Sequence, residues 1–209
     1  LMDQSIKQFE DLCQDHQISY STYKHTGFDA LQGLLDETRF ADGVLVQSKN
    51  FFSAMDSSQP NAELNQLLHS TECPVFLIPE KFEEPKNIIF AYDGERSCMA
   101  AIKHLGMVMK NYKKLPLTII FFSVPSGERP PYEKLITEYI GCHYKEFFIK
   151  VVDSGGADNL DQWLARYPSP LIVTGSYSRS GLSRTFKKSF ISSELTDHKF
   201  PIFLFHSKG

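Results

Sequence analysis

Five apolar runs in this chain lack the in–out alternation of a half-exposed strand, and that limits the available folds more than any other feature. They are Asn87-Ile-Ile-Phe-Ala-Tyr92, Leu117-Thr-Ile-Ile-Phe-Phe122, Phe147-Phe-Ile-Lys-Val-Val152, Leu171-Ile-Val-Thr174 and Pro201-Ile-Phe-Leu-Phe205. A strand that is apolar on both sides has to be covered on both faces, which is the condition of a parallel sheet with crossover helices. The intervening stretches carry helical spacing: Ala100, Ala101, Leu105, Val108 and Met109; then Leu135, Ile136, Tyr139 and Ile140; then Trp163 and Leu164; and last Ser189 to His198. The fold class is α/β. In the region before Lys81, Ile18–Tyr23 alternates like a strand and Phe28, Leu31, Leu34 and Leu35 recur as in a helix. Gly43–Val46 and Pro74–Pro79 read as buried strands, with a helix of Leu64, Leu67 and Leu68 between them that Asn61 caps. The Glu-rich stretch from Lys81 to Lys86, bounded by prolines, reads as a linker.

The two regions repeat one another. Val46 and Val173 stand 127 apart, as do Pro74 and Pro201, so that Val75-Phe-Leu77 falls on Ile202-Phe-Leu204 without a gap. Cys13 and Cys142 each lie near the end of a helix that leads into a strand, and Gly27 and Gly155 each close such a strand. The ordered matches read as a duplication. The first copy is incomplete, because the strand–helix–strand from residue 87 to about 130 has no counterpart before the helix of residues 1–16. The strand near residues 18–25 is then expected to be poorly paired. Either roughly 45 further residues precede Leu1 in the native product or another chain replaces them.

Charge and cysteine usage narrow the function. Lys and Arg number 22 against 25 Asp and Glu, a net charge of −3, so no overall basic field points to nucleic acid. No run approaches the ~20 apolar residues of a membrane helix, and the polar start Leu1-Met-Asp-Gln-Ser5 lacks a signal-peptide pattern. The four cysteines contain no C-x-x-C, which excludes a zinc ribbon or thioredoxin-type pair and reads as reduced thiols in a cytoplasmic protein. The metalloprotease, nucleophile-elbow and P-loop patterns are all missing. The histidines have no partners for catalysis, and His104 reads as a helix-face residue. Ser178, Ser180 and Ser183 lack a general base, so the chain is expected not to be an enzyme.

The densest chemical signal follows the fourth strand of the second copy. From Gly175 to Ser189 the loop carries Arg179, Arg184, Lys187 and Lys188, two glycines, several hydroxyls and no acid. Close backbone approach at glycine, hydroxyl donors and a following helix N-terminus are what an anion site needs. The loop leaves the carboxyl end of a parallel strand, where α/β sheets bind ligands. A solvated basic loop that touches nothing has the same composition. Asp93 closes the first strand of this copy, where it either accepts hydrogen bonds from a ribose or base or caps the helix that follows.

Strand-Asp-Gly-helix at 87–105, the loop at 175–189 and the closing Pro-Ile-Phe-Leu-Phe strand resemble universal stress protein domains. The resemblance covers 86–206 as a whole domain and 1–80 as the later part of another, so the chain is similar to a tandem member with an incomplete first domain. It implies a partial domain at 1–80, a linker at 81–86 and a complete domain at 87–209. The complete domain is expected to hold a five-stranded parallel sheet in order 3-2-1-4-5 with helices on both faces. The resemblance implies a regulatory, stress-response role and a site for ATP or a related adenine nucleotide, with no metal site of its own. Asp93 matches the family Asp near the adenosine, and Val124 the apolar residue that lies against the base. Gly175 and Ser189 match the first glycine and the closing hydroxyl of G-x2-G-x9-G-[S/T]. Ser178 and Lys188 stand at the second and third glycines, with Arg179 beside them, so nucleotide binding is expected to be weak or lost. The first copy has Ser48, Phe51, Asn61 and Ala62 at the corresponding positions and is expected to bind no nucleotide. Strands 74–79 and 201–206 are expected to pair as an intramolecular pseudo-dimer, and the resemblance is compatible with a further homodimer. Two other readings stay open: a nucleotide-independent protein-interaction module and, with less in its favour, an ATP-hydrolysing enzyme.

Overall fold

The computed structural model describes residues 2–24, 30–47, 62–123, 129–153, 163–175 and 200–205. Seven strands among these residues form one sheet: β1 (Val44–Gln47), β2 (Val75–Ile78), β3 (Asn87–Ala91), β4 (Leu117–Ser123), β5 (Phe147–Asp153), β6 (Pro170–Thr174) and β7 (Ile202–Leu204). The helices are α1 (Met2–Asp15), α2 (Ala30–Glu37), α3 (Ala62–Ser70), α4 (Arg96–Val108) and α5 (Glu133–His143), with a 3-10 turn at Lys110–Lys114. The strand order is β1-β2-β7-β6-β3-β4-β5, and every neighbouring pair is parallel except β2 with β7. The sheet is therefore mixed and mostly parallel. Its centre is dry as the unalternating runs require, with all five residues of β6 and four of five in β3 buried. The run at 147–152 is not covered on both faces: β5 is the last described strand on its side of the sheet and leaves Phe148 53% and Val151 48% exposed. The core lies where Ala101, Ile102 and Leu105 of α4 and Ile136 and Ile140 of α5 meet Ile88, Phe90, Ile119 and Val173 of the sheet.

The antiparallel pair is centred on residues that the gapless sequence alignment makes equivalent. Phe76 sits opposite Phe203, Val75 opposite Leu204 and Leu77 opposite Ile202. The two phenyl rings lie 6.2 Å apart. On either side of this pair the parallel ladders share one hydrogen bond, from Val44 N–H to the Pro74 carbonyl and from Ile172 N–H to the Pro201 carbonyl. That bond aligns Val44 with Ile172, and hence Val46 with Thr174 and Gln47 with Gly175, one residue away from the gapless sequence alignment. The connection between the paired strands is thus one residue longer in the first copy, so Gln47 rather than Ser48 stands where Gly175 does.

By compactness the chain divides into residues 1–34 and 35–209. In the first unit the expected strand at Ile18–Tyr23 does not form. Among the described residues of that unit no strand is present to receive its backbone bonds, and side chains hold the segment instead. Tyr20 accepts a hydrogen bond from Gln14, Thr22 donates to Glu10, and Lys24 pairs with Asp3, so the segment runs back along α1. The expected helix at Ser189–His198, and Asn61, Gly27 and Gly155, lie outside the described residues.

Candidate functional site

The apolar strand β3 carries Asp93 just past its carboxyl end, and Gly94 turns the chain into α4. Gly94 has φ +88°, and a Cβ there would come within 2.8 Å of the Pro131 side chain, so both conformation and space call for glycine. Asp93 does not cap α4. The N-cap position belongs to Glu95, which makes no side-chain cap bond. Instead Asp93 Oδ1 accepts the Glu95 N–H at 2.9 Å, a turn closed two residues on. The same oxygen accepts the Cys98 thiol at 2.9 Å, and that thiol also lies 3.4 Å from the Ala91 carbonyl.

These bonds leave Asp93 Oδ2 buried and without a partner among the described residues. Burial pushes the Asp93 carboxyl above its ordinary value, against the lowering effect of the Cys98 and Glu95 bonds. Burial also pushes the Cys98 thiol well up, and the neighbouring Asp93 charge adds to this, so Cys98 is a neutral donor rather than a nucleophile. Thr174, at the carboxyl end of the adjacent strand β6, likewise has a buried hydroxyl with no described partner. An orphaned buried polar atom costs about 1–3 kcal/mol, so two at neighbouring strand ends mark a place built for hydrogen bonds from something else.

Gly175 is fixed by packing. A Cβ there would meet the Cys98 N and Ser97 Oγ at 2.5 Å, so only glycine lets the strand end come against the first turn of α4. Across the mouth of the site, Tyr92 donates its hydroxyl to the Pro131 carbonyl at 2.8 Å. Burial is the main cause that pushes the Tyr92 hydroxyl up to about 12.

The structure therefore brings Asp93 and Gly175 to the first turn of α4. Val124, Ser178, Arg179, Lys188 and Ser189 lie outside the described residues. Three contributors escaped the sequence reading: Cys98, Tyr92 and Thr174. Cys98 had one legible signal, its place in the first turn of the helix after Asp-Gly; nothing in the spacing links Tyr92 to Pro131. His104 faces neither Asp93 nor a base, since its Nδ1 lies 2.8 Å from the Ala100 carbonyl and its ring rests on Phe205. Among the described residues no cluster of three or more His, Cys, Asp or Glu is placed to hold a metal, and no helix is long and apolar enough to cross a membrane.

A carboxylate with one orphaned oxygen at the end of a central parallel strand, backed by a glycine against the next helix, lies at the end of the sheet where α/β proteins generally bind ligands. Among solved structures, a universal stress protein from Archaeoglobus fulgidus DSM 4304 matches 98% of the chain and 79% of its own, with TM-score 0.65 and 16% identity. A functionally unknown protein from Pseudomonas aeruginosa PAO1 matches 98% of this chain and 77% of its own, with TM-score 0.52 and 13% identity. A candidate universal stress protein from Pseudomonas aeruginosa UCBPP-PA14 matches 96% and 77%, with TM-score 0.50 and 15% identity. No protein-family model matches the chain, and no curated protein matches it in sequence. At these identities the likeness establishes the fold: the chain has the universal stress protein fold.

Proposed function

We propose that this is a cytoplasmic, universal stress protein-like regulatory protein whose second copy binds an adenine nucleotide weakly and whose first copy binds none. The observation that carries the reading is the buried, unpartnered Asp93 Oδ2 at the strand end. A ribose hydroxyl or base amine donating to it would relieve the orphaned oxygen. Ser178 and Lys188, in place of glycines, keep the phosphate from bare backbone, which makes binding weak. The reading involves no catalysis and no metal of the protein's own.

On this reading residues 1–80 are a partial copy, 81–86 a linker and 87–209 a complete unit with strands in order 3-2-1-4-5. The antiparallel pairing of Phe76 with Phe203, each the repeat equivalent of the other, supports an intramolecular pseudo-dimer around a local twofold. Thermal denaturation with and without ATP and magnesium tests the function: wild type gains stability at millimolar ATP and Asp93→Ala does not. Equal stabilisation of both would remove Asp93 from the site. No stabilisation of either would favour the nucleotide-independent interaction module.

A further inference from the structure

A second cavity-lining surface lies on the flank of α4 that faces away from Gly175. Gly175 meets α4 at Ser97 and Cys98, whereas Arg96, Met99, Ala100, Lys103 and Met107 fall on the opposite stripe. Together with Leu135, Ile136 and Tyr139 of α5 they line a cleft of about 860 Å³. This is within the size range of small-molecule sites. The α4 wall from Arg96 to Met107 is about 16 Å long at 1.5 Å per residue.

Two properties set the chemistry of an occupant. The wall is apolar and open: Met107 is 59% and Leu135 61% exposed. Among the described residues Arg96 and Lys103 have no acidic partner, and the Lys103 ammonium stands 5.6 Å from the centre of the Tyr139 ring, held over the cleft by that face. At the strand-end mouth the charge is reversed, because Asp93 and Glu95 line it. An acidic head is therefore repelled from the mouth and drawn along the cleft to Lys103, while an apolar body covers Met99, Met107 and Leu135.

We propose that the α4–α5 cleft binds a small amphipathic monoanion of the acyl carboxylate class, with its head on Lys103. Tight packing of α4 against α5 along this stripe would have buried Met107 and Leu135; their exposure leaves the area an acyl chain needs. The inference does not depend on nucleotide binding: the cleft shares its mouth, Tyr92 to Glu95 and Pro131, with the strand-end site, but its Lys103, Met107 and Leu135 wall lies on the flank of α4 away from Gly175.

The test is displacement of 8-anilinonaphthalene-1-sulfonate fluorescence by decanoate, with the neutral decanol as comparison. The expected result is saturable displacement at one site per chain, with decanol at least tenfold weaker. Lys103→Glu should weaken decanoate at least tenfold. Lys145→Glu, an equal charge change on an exposed residue outside the cleft, should stay within twofold. Leu135→Asp reports on the apolar wall and should also lose binding. Decanoate affinity unchanged in Lys103→Glu, equal displacement by decanol, or no displacement at all would each overturn the proposal.

Discussion

Strand β1 with β2 and strand β6 with β7 form the same parallel ladder with the same hydrogen bond to a proline carbonyl, yet they live in different surroundings. Leu45 and Val173 occupy one register position, opposite Phe76 and Phe203. Leu45 is 64% exposed and Val173 0%. The cause is the neighbour. Strand β6 has β3 on its other side and α4 above it, whereas β1 is the last described strand of the sheet. The difference teaches what a neighbouring strand supplies besides burial. Asp93 is carried by β3, and among the described residues β1 has no neighbour to carry its equivalent.

The sharpest way to break this comparison is to place a charge at both register positions. Val173→Asp should abolish the folding transition, since an unpaired carboxylate in a dry core costs more than about 4 kcal/mol. Leu45→Asp should change stability by less than about 0.5 kcal/mol in urea unfolding. Similar losses from the two would show that something covers β1.

At the next pair, Gly175→Ala forces a methyl group against the backbone of Ser97 and Cys98 and should cost about 1–3 kcal/mol. This corresponds to a melting point lowered by about 2–12 °C in a chain of this size. Gln47→Ala, the register equivalent, should leave the melting point nearly unchanged. A fall as large as that of Gly175→Ala would mean that the two strand ends are packed alike.

Asp93 sharpens the comparison through pH. Because burial raises its folded pKa, the native chain holds this proton more tightly than the unfolded chain. Its contribution to stability is complete below the unfolded value and is lost as pH rises through the folded one. Asp93→Asn should therefore be more stable than wild type at neutral pH, with the gain shrinking as pH falls toward 4. A gain that grew on acidification would reverse the assigned direction.

The smallest effect concerns the repeat cysteines. Cys13 is buried and Cys142 exposed, although both close a helix of the repeat. Mass-spectrometric labelling of the native protein should modify Cys142 first, with Cys98 protected both by burial and by its raised pKa. Prior labelling of Cys13 would contradict the burial assigned to it.

Local chemistry made most of the fold legible. The unalternating runs at 87–92, 117–122 and 171–174 announced buried strands because a strand apolar on both faces must be covered on both, and each formed. Ile18–Tyr23 misled because alternation reports only that a strand would have one dry face; it cannot report whether a partner strand exists. The gapless repeat failed by one residue for a related reason, since register is fixed by backbone bonds such as Val44 to Pro74 and not by residue likeness. In the site, Asp93 and Gly175 were readable as a strand-end acid and a loop glycine. Their mutual packing through Cys98 was not, because it joins positions some eighty residues apart through a thiol that no motif contains.

The most direct test of the unequal copies is isothermal titration of the intact chain with magnesium ATP, beside Asp93→Ala. The account predicts one site per chain, with Kd on the order of 0.1–1 mM, and no heat of binding in the variant. Two sites per chain, binding that survives the loss of Asp93, or no binding at millimolar ATP would contradict it.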